Sequence, residues 1–174
     1  MKVPHDSEEI LPIINEKDEV IGKDSRKRIH EQKLLHREVY IYIINNQNEV
    51  LLQKRTDYKI WDHSVGGHVP LNHTYEETAI MELFEELGLN IKQKELVEIG
   101  KERFFSPKTG NDRIAKIFIV KKEIKLEELK IDKAEVLEVK YFNKNKLEKL
   151  FENENNTSSS MRKIINEHIL KEIN

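Results

Sequence analysis

The chain has 174 residues with no Cys, and its 30 Lys and Arg nearly balance its 32 Asp and Glu to give a net charge of −2. That length suits one domain with its own core, and the lack of thiols excludes disulfides, thiolate zinc sites and a Cys nucleophile. Near-neutrality gives no global pull toward a nucleic-acid polymer or an anionic membrane, and no apolar run approaches the ~20 residues of a membrane span.

The opening residues, Met1 to Glu9, carry no apolar signal core, so a cytoplasmic protein is the expectation. Ile10 to Ile14, broken by Pro12, reads as an edge strand, and Val20-Ile21-Gly22 returns after the polar turn Asn15 to Glu19. Ser25 to Leu35 is polar with scattered apolar residues and has room for a helical turn. It carries His30, and His36 follows. Six residues apart, the two do not share a helix face, so surface histidines are expected rather than a zinc pair.

Val39 to Ile44 is β-branched and aromatic and reads as a buried central strand, with Glu49 to Arg55 as its partner across the turn Asn45 to Asn48. Asp57 to Asp62 is a loop carrying Lys59 and Trp61, and Ser64 to Val69 is a short strand with Gly66-Gly67 inside it. Leu96 to Phe105 and Ile114 to Val120 read as a second hairpin about a turn at Pro107 to Asn111. Glu135 to Phe142 is a last strand and Lys144 to Phe151 a helix. Glu152 to Ser160 is a polar loop, and Met161 to Ile173 is a C-terminal helix with Ile164, Ile165, His168 and Ile169 at helical spacing. Neither repeats nor linkers stand out. One domain over 1–174 is therefore expected, with an α/β sandwich on a mixed sheet.

Between the glycines and the second hairpin lies an acidic helix. Thr74 is its N-cap, Glu77 completes a capping box, and Gly88 is placed to cap the C-terminus. Ala79, Ile80, Leu83 and Leu87 make its core face. Glu82 and Glu86 stack four apart on one flank, and Glu85 lies about a third of a turn further round. Two readings of these acids stand. They form a solvated face, as most acidic helices do, or they turn mutual repulsion into an oxygen-only ligand set that suits Mg²⁺ or Mn²⁺.

The order Gly67, then Glu82-Leu83-x-Glu85-Glu86-x-Gly88-Leu89, resembles the Nudix box, G-x5-E-x7-R-E-U-x-E-E-x-G-U with U aliphatic. Two positions depart from it: His73 stands for the early Glu and Met81 for the Arg. The stretches Ile14 to Gly22, Leu35-His36-Arg37, Leu51 to Arg55 and Trp61 to His68 extend the likeness to the isopentenyl-diphosphate-isomerase-like branch, from about Ile14 to Ile91. His30, His36 and His68 resemble the isomerases' histidines. However, Gly66 holds the place of their Cys, and the later strand has Asp112 where they supply two metal-binding acids.

The resemblance implies a Nudix-type α/β/α sandwich with its N-terminal hairpin at 1–24, its box at 66–89 and its last helix at 161–173. It also implies hydrolysis of a nucleoside diphosphate or related small diphosphate with Mg²⁺ or Mn²⁺, and it admits a homodimer. Glu82, Glu86 and the Gly67 carbonyl would hold the ion, with Glu85 as a further ligand or as the base for water. Asp112 is either the acid completing the site or a turn residue. Arg55 and Lys59 would hold a diphosphate or are ordinary surface charge, and Trp61 would stack on a base or pack. His73 would bond the glutamates or stay solvated. A Nudix fold that binds without turnover is the alternative reading, and an isomerase a third.

Overall fold

The computed structural model describes residues 6–106 and 109–173. Strands β1 (Ile10–Ile14) and β2 (Val20–Ser25) form an antiparallel pair, and α1 (Arg26–Glu31) follows with Ser25 as its cap. Asp18 turns this hairpin at φ 64°. Its carboxylate takes Arg37 at 2.6 Å, the Tyr75 hydroxyl at 3.1 Å and the Lys101 ammonium, which seats the hairpin against three other elements.

The larger sheet has seven strands built around β3 (His36–Ile44). The others are β4 (Val50–Arg55), β5 (Trp61–Asp62), β6 (Val65–His68), β7 (Val97–Ser106), β8 (Asn111–Lys121) and β9 (Val136–Phe142). The path runs β5-β4-β3-β8-β7, with β6 also paired to β3 and β9 to β4. β3 and β8 run parallel and the remaining pairs antiparallel, so the sheet is mixed, as expected. Of the turn in the second hairpin, Pro107 and Lys108 lie outside the described residues.

Period-two alternation along β3 builds two cores. Val39, Ile41 and Ile43 pack with Ala79, Leu83 and Leu87 of α2 (Tyr75–Leu87). Tyr40, Tyr42 and Ile44 pack with Met161, Ile164, Ile165 and Ile169 at the C-terminus. That last helical stretch is α4 (Ser159–Ile164), a π-helical segment Ile165–Ile169 and α5 (Leu170–Glu172), preceded by α3 (Lys144–Phe151). The wider π turn brings the adjacent Ile164 and Ile165, and then Ile169, all into the core. Helices thus cover both faces of the sheet. Among the described residues no helix is long and apolar enough to cross a membrane.

The ends of α2 follow the sequence. Thr74 Oγ1 accepts the Glu77 N–H at 3.1 Å while Glu77 Oε2 accepts the Thr74 N–H at 2.9 Å. Gly88 closes the helix at φ 70°.

The sheet forks beside this helix. β3 meets β4 at Ile43–Leu51 and Ile44–Val50, and β6 takes over along Glu38 to Ile41. At the fork the buried Ser64 hydroxyl accepts the Ile43 N–H at 2.9 Å and donates to the Leu51 carbonyl, replacing ladder bonds that the splayed strands cannot make. Ser64→Ala leaves both backbone groups unpaired in the core, so it is expected to cost about 1–3 kcal/mol. Urea denaturation should show this as a lower midpoint with an unchanged slope.

Candidate functional site

Strand β6 brings Gly66 and Gly67 under α2. A side chain at Gly67 would overlap the Glu82 carboxylate, so only glycine lets that acid lie against the strand backbone. Glu82 and Glu86 are 3% and 2% exposed. Glu86 Oε2 accepts from Gln53 Nε2 at 2.8 Å, and its Oε1 faces the Gly66 N–H at 3.4 Å. Glu85 is half-buried beside them. The solvated-face reading therefore fails for Glu82 and Glu86, which point into the fork between β4 and β6.

Burial drives the Glu86 carboxyl well above the ordinary range, and the charges of Glu82 and Glu135 push it further. The Gln53 hydrogen bond and Arg55 offset part of this rise. The donor set fits a hard divalent cation on three observations. Its groups are oxygens, the glycine backbone leaves a cradle that any Cβ would fill, and Gln53 Oε1 is buried without a hydrogen-bond partner.

The acid acting on Glu86 from later in the chain is Glu135, not Asp112. Asp112 accepts from Arg103 at 2.9 and 2.8 Å, and Arg103 also reaches Glu16 at 2.9 Å, so Asp112 belongs to a surface ion network. Arg55 forks onto Asp57 at 3.0 and 2.8 Å and lies in the field of Asp62 and Glu86. Lys59 is exposed at φ 54° in the turn after β4. Trp61 packs edge-on to Phe142, with ring centroids 4.8 Å apart, while Tyr58 of the same loop is exposed and lies 5.9 Å from the Arg55 guanidinium. His73 is exposed, as expected of a loop histidine, and Met81 is half-buried.

A second polar cluster lies on the opposite face of β3 and β6, and it corrects the expectation of surface histidines. His36 is fully buried, His68 is buried and His30 half-buried. One ring nitrogen from each lies within 4.8 Å of the others. His30 and His68 meet Nε2 to Nε2 at 3.0 Å. His36 Nδ1 donates to the Leu34 carbonyl at 2.9 Å, which turns Nε2 into the cluster, 3.8 Å from Glu38 Oε1. Desolvation holds His30 near a pKa of about 4 and His68 well below its ordinary value. Three converging imidazole nitrogens offer a ligand set for a divalent ion that prefers nitrogen.

Glu38 adjoins them, 3.3 Å from His68 Nε2, and also accepts from Tyr40 at 2.5 Å and Asn111 at 2.8 Å, with Arg113 at 3.2 Å. Spacing along the chain could not reveal this cluster, because β3–β6 pairing, Glu38 opposite His68, assembles it. The sequence signal was the likeness of three separated histidines to a known set.

Residues 34–165 match the family model described as NUDIX domain. An uncharacterized Nudix hydrolase of Clostridium acetobutylicum is 30% identical over 140 residues, covering 75% of this chain and 68% of the relative. A protein of Photorhabdus laumondii named isopentenyl-diphosphate Delta-isomerase 2 is 32% identical over 94 residues, 51% of this chain and 53% of its own length. This chain thus spans about half the length of that relative. A crystal structure from Deinococcus radiodurans superposes with a TM-score of 0.72 at 22% identity, covering 91% of this chain and 97% of that one.

The Glu86 carboxyl keeps its proton to higher pH in the folded chain than in the unfolded one, where Glu titrates near 4.3. Between those two values the folded state binds more protons, so the metal-free protein loses stability as pH rises through that window. Glu86→Gln removes the titrating group. Thermal unfolding in chelator should show the variant more stable than wild type by several degrees at neutral pH, with the difference vanishing toward about pH 4.

Proposed function

Because the chain belongs to the Nudix family, we propose that it is a Mg²⁺- or Mn²⁺-dependent hydrolase of a nucleoside diphosphate or related small diphosphate, cleaving the phosphoanhydride bond. The observation that carries this reading is the buried pair Glu82 and Glu86 set against the side-chain-free Gly67. Glu82, Glu86 and the Gly67 carbonyl would hold the ion, and Glu85, half-buried on the same flank, would serve as a further ligand or as the base that takes a proton from water. The ion, when bound, neutralises phosphate oxygens and acidifies water. Arg55 supplies a planar fork for phosphate oxygens once Asp57 releases it, and Lys59 adds a mobile ammonium from the same turn. Trp61 is engaged on Phe142, so the exposed aromatic for a base is Tyr58.

Two observations bear on the alternatives. Met81 and His73 remove the box's Arg and early Glu, which favours a weak enzyme or a binding protein. Isomerase chemistry is disfavoured at Gly66, where a Cβ would lie 3.1 Å from the Tyr40 ring and 3.2 Å from the Val39 carbonyl, leaving little room for a thiol. The neighbouring β8 offers Asn111 and Arg113 to that face.

A panel of nucleoside diphosphates and their conjugates, assayed with and without Mg²⁺, should yield a phosphate or nucleoside monophosphate product. Glu86→Gln should lower kcat about 100-fold or more, about 2.7 kcal/mol of barrier. Binding across the panel, read as thermal shifts with no product, would replace the hydrolase with the binding protein.

A further inference from the structure

Gln53 lies on β4 with its side chain 3% exposed, opposite Asp62 on one side and Val139 on the other. Its amide nitrogen donates to Glu86 Oε2 at 2.8 Å, and its amide oxygen is buried with no partner. An unsatisfied buried carbonyl costs roughly 1–3 kcal/mol, so Gln53 Oε1 is an acceptor that a donor entering the site would satisfy. The amide spans only about 2.3 Å from oxygen to nitrogen, which keeps that acceptor beside the carboxylate. Met81, half-buried and uncharged, supplies no donor to orient the acids of α2.

We infer that Gln53 is the positioning residue of this site. Its N–H fixes the rotamer of Glu86, and its carbonyl stands as an acceptor beside the divalent ion that Glu82 and Glu86 would hold. The inference rests on the reading of those two acids as an ion site. It assigns to β4 the orienting task that a charged residue on the helix would otherwise perform. The physical reason is that a ligand carboxylate held by a neutral amide keeps its full charge for the ion, whereas an Arg partner competes with the ion for that charge.

The test is Mn²⁺ titration of the full chain, followed by the EPR signal of free ion, for wild type, Glu86→Gln and Gln53→Met, which keeps the volume without the amide. The relevant ion is the one that Glu86→Gln loses, which separates it from any ion at the histidines. Gln53→Met is expected to bind that ion about 10-fold more weakly and to lower kcat about 10- to 100-fold with KM little changed. Gln53→Asn, one methylene too short to reach Glu86, should follow it, and it stands in if the Met variant fails to fold. Mn²⁺ affinity equal to wild type in both variants overturns the inference while the ion site stands. If wild type and Glu86→Gln bind alike, the ion site itself falls.

Discussion

Two carboxylates, Glu82 and Glu86, sit almost fully buried within one helical turn, and much else in the structure exists to keep them there. Bringing like charges out of water is unfavourable unless a proton or a cation compensates. Gly67 on β6 lets Glu82 approach the strand, Gln53 holds Glu86, and the core face of α2 fixes the helix. The capping box and the left-handed Gly88 define the length of α2, so the acids cannot slide along the strand.

The four residues of β6 serve two sites at once. Alternation along the strand sends the Gly67 position toward α2 and the Gly66 and His68 positions toward the other face. One face holds the carboxylates with oxygen donors. The other holds three histidines with Glu38, Tyr40 and Arg113, all tied by hydrogen bonds or ion pairs. The two faces thus differ in the cation they suit, hard on the carboxylate side and nitrogen-preferring on the histidine side. That split agrees with a chain whose relatives include both Nudix hydrolases and proteins named isomerase. The glycine at 66, crowded by Tyr40, leaves that position on the second face without a side chain.

The strands reach this arrangement because β3 changes partners midway. Ser64 makes the change tolerable by satisfying the backbone where β4 departs. Without the fork, β4 would run on beside β3, and Gln53 would have no route to α2. The loop after the fork, with Arg55, Tyr58 and Lys59, is held at its far end by Ser158, which bonds the Trp61 carbonyl and the Asp62 carboxylate. The C-terminal helix therefore helps to fix the loop proposed to meet the substrate.

Local rules were enough for much of this. Hairpins at Asn15 to Glu19 and Asn45 to Asn48, α3 at Lys144 to Phe151, and the caps of α2 were legible because turns, caps and helical periodicity depend on residues a few positions apart. The spacing of Gly67, Glu82 and Glu86 was legible for the same reason. Whether those acids faced solvent was not, because that depends on Gln53 and Gly66, which come from strands brought there by long-range pairing. Glu135, Gln53 and the assembly of the histidines also escaped, since the cross-strand registers β4–β9 and β3–β6 bring them together. The sequence by itself determined the helix and the order of its acids, because hydrogen bonds within the helix and its caps are local. Only the tertiary structure decided that Glu82 and Glu86 are buried, because burial is set by whichever distant segment stands opposite.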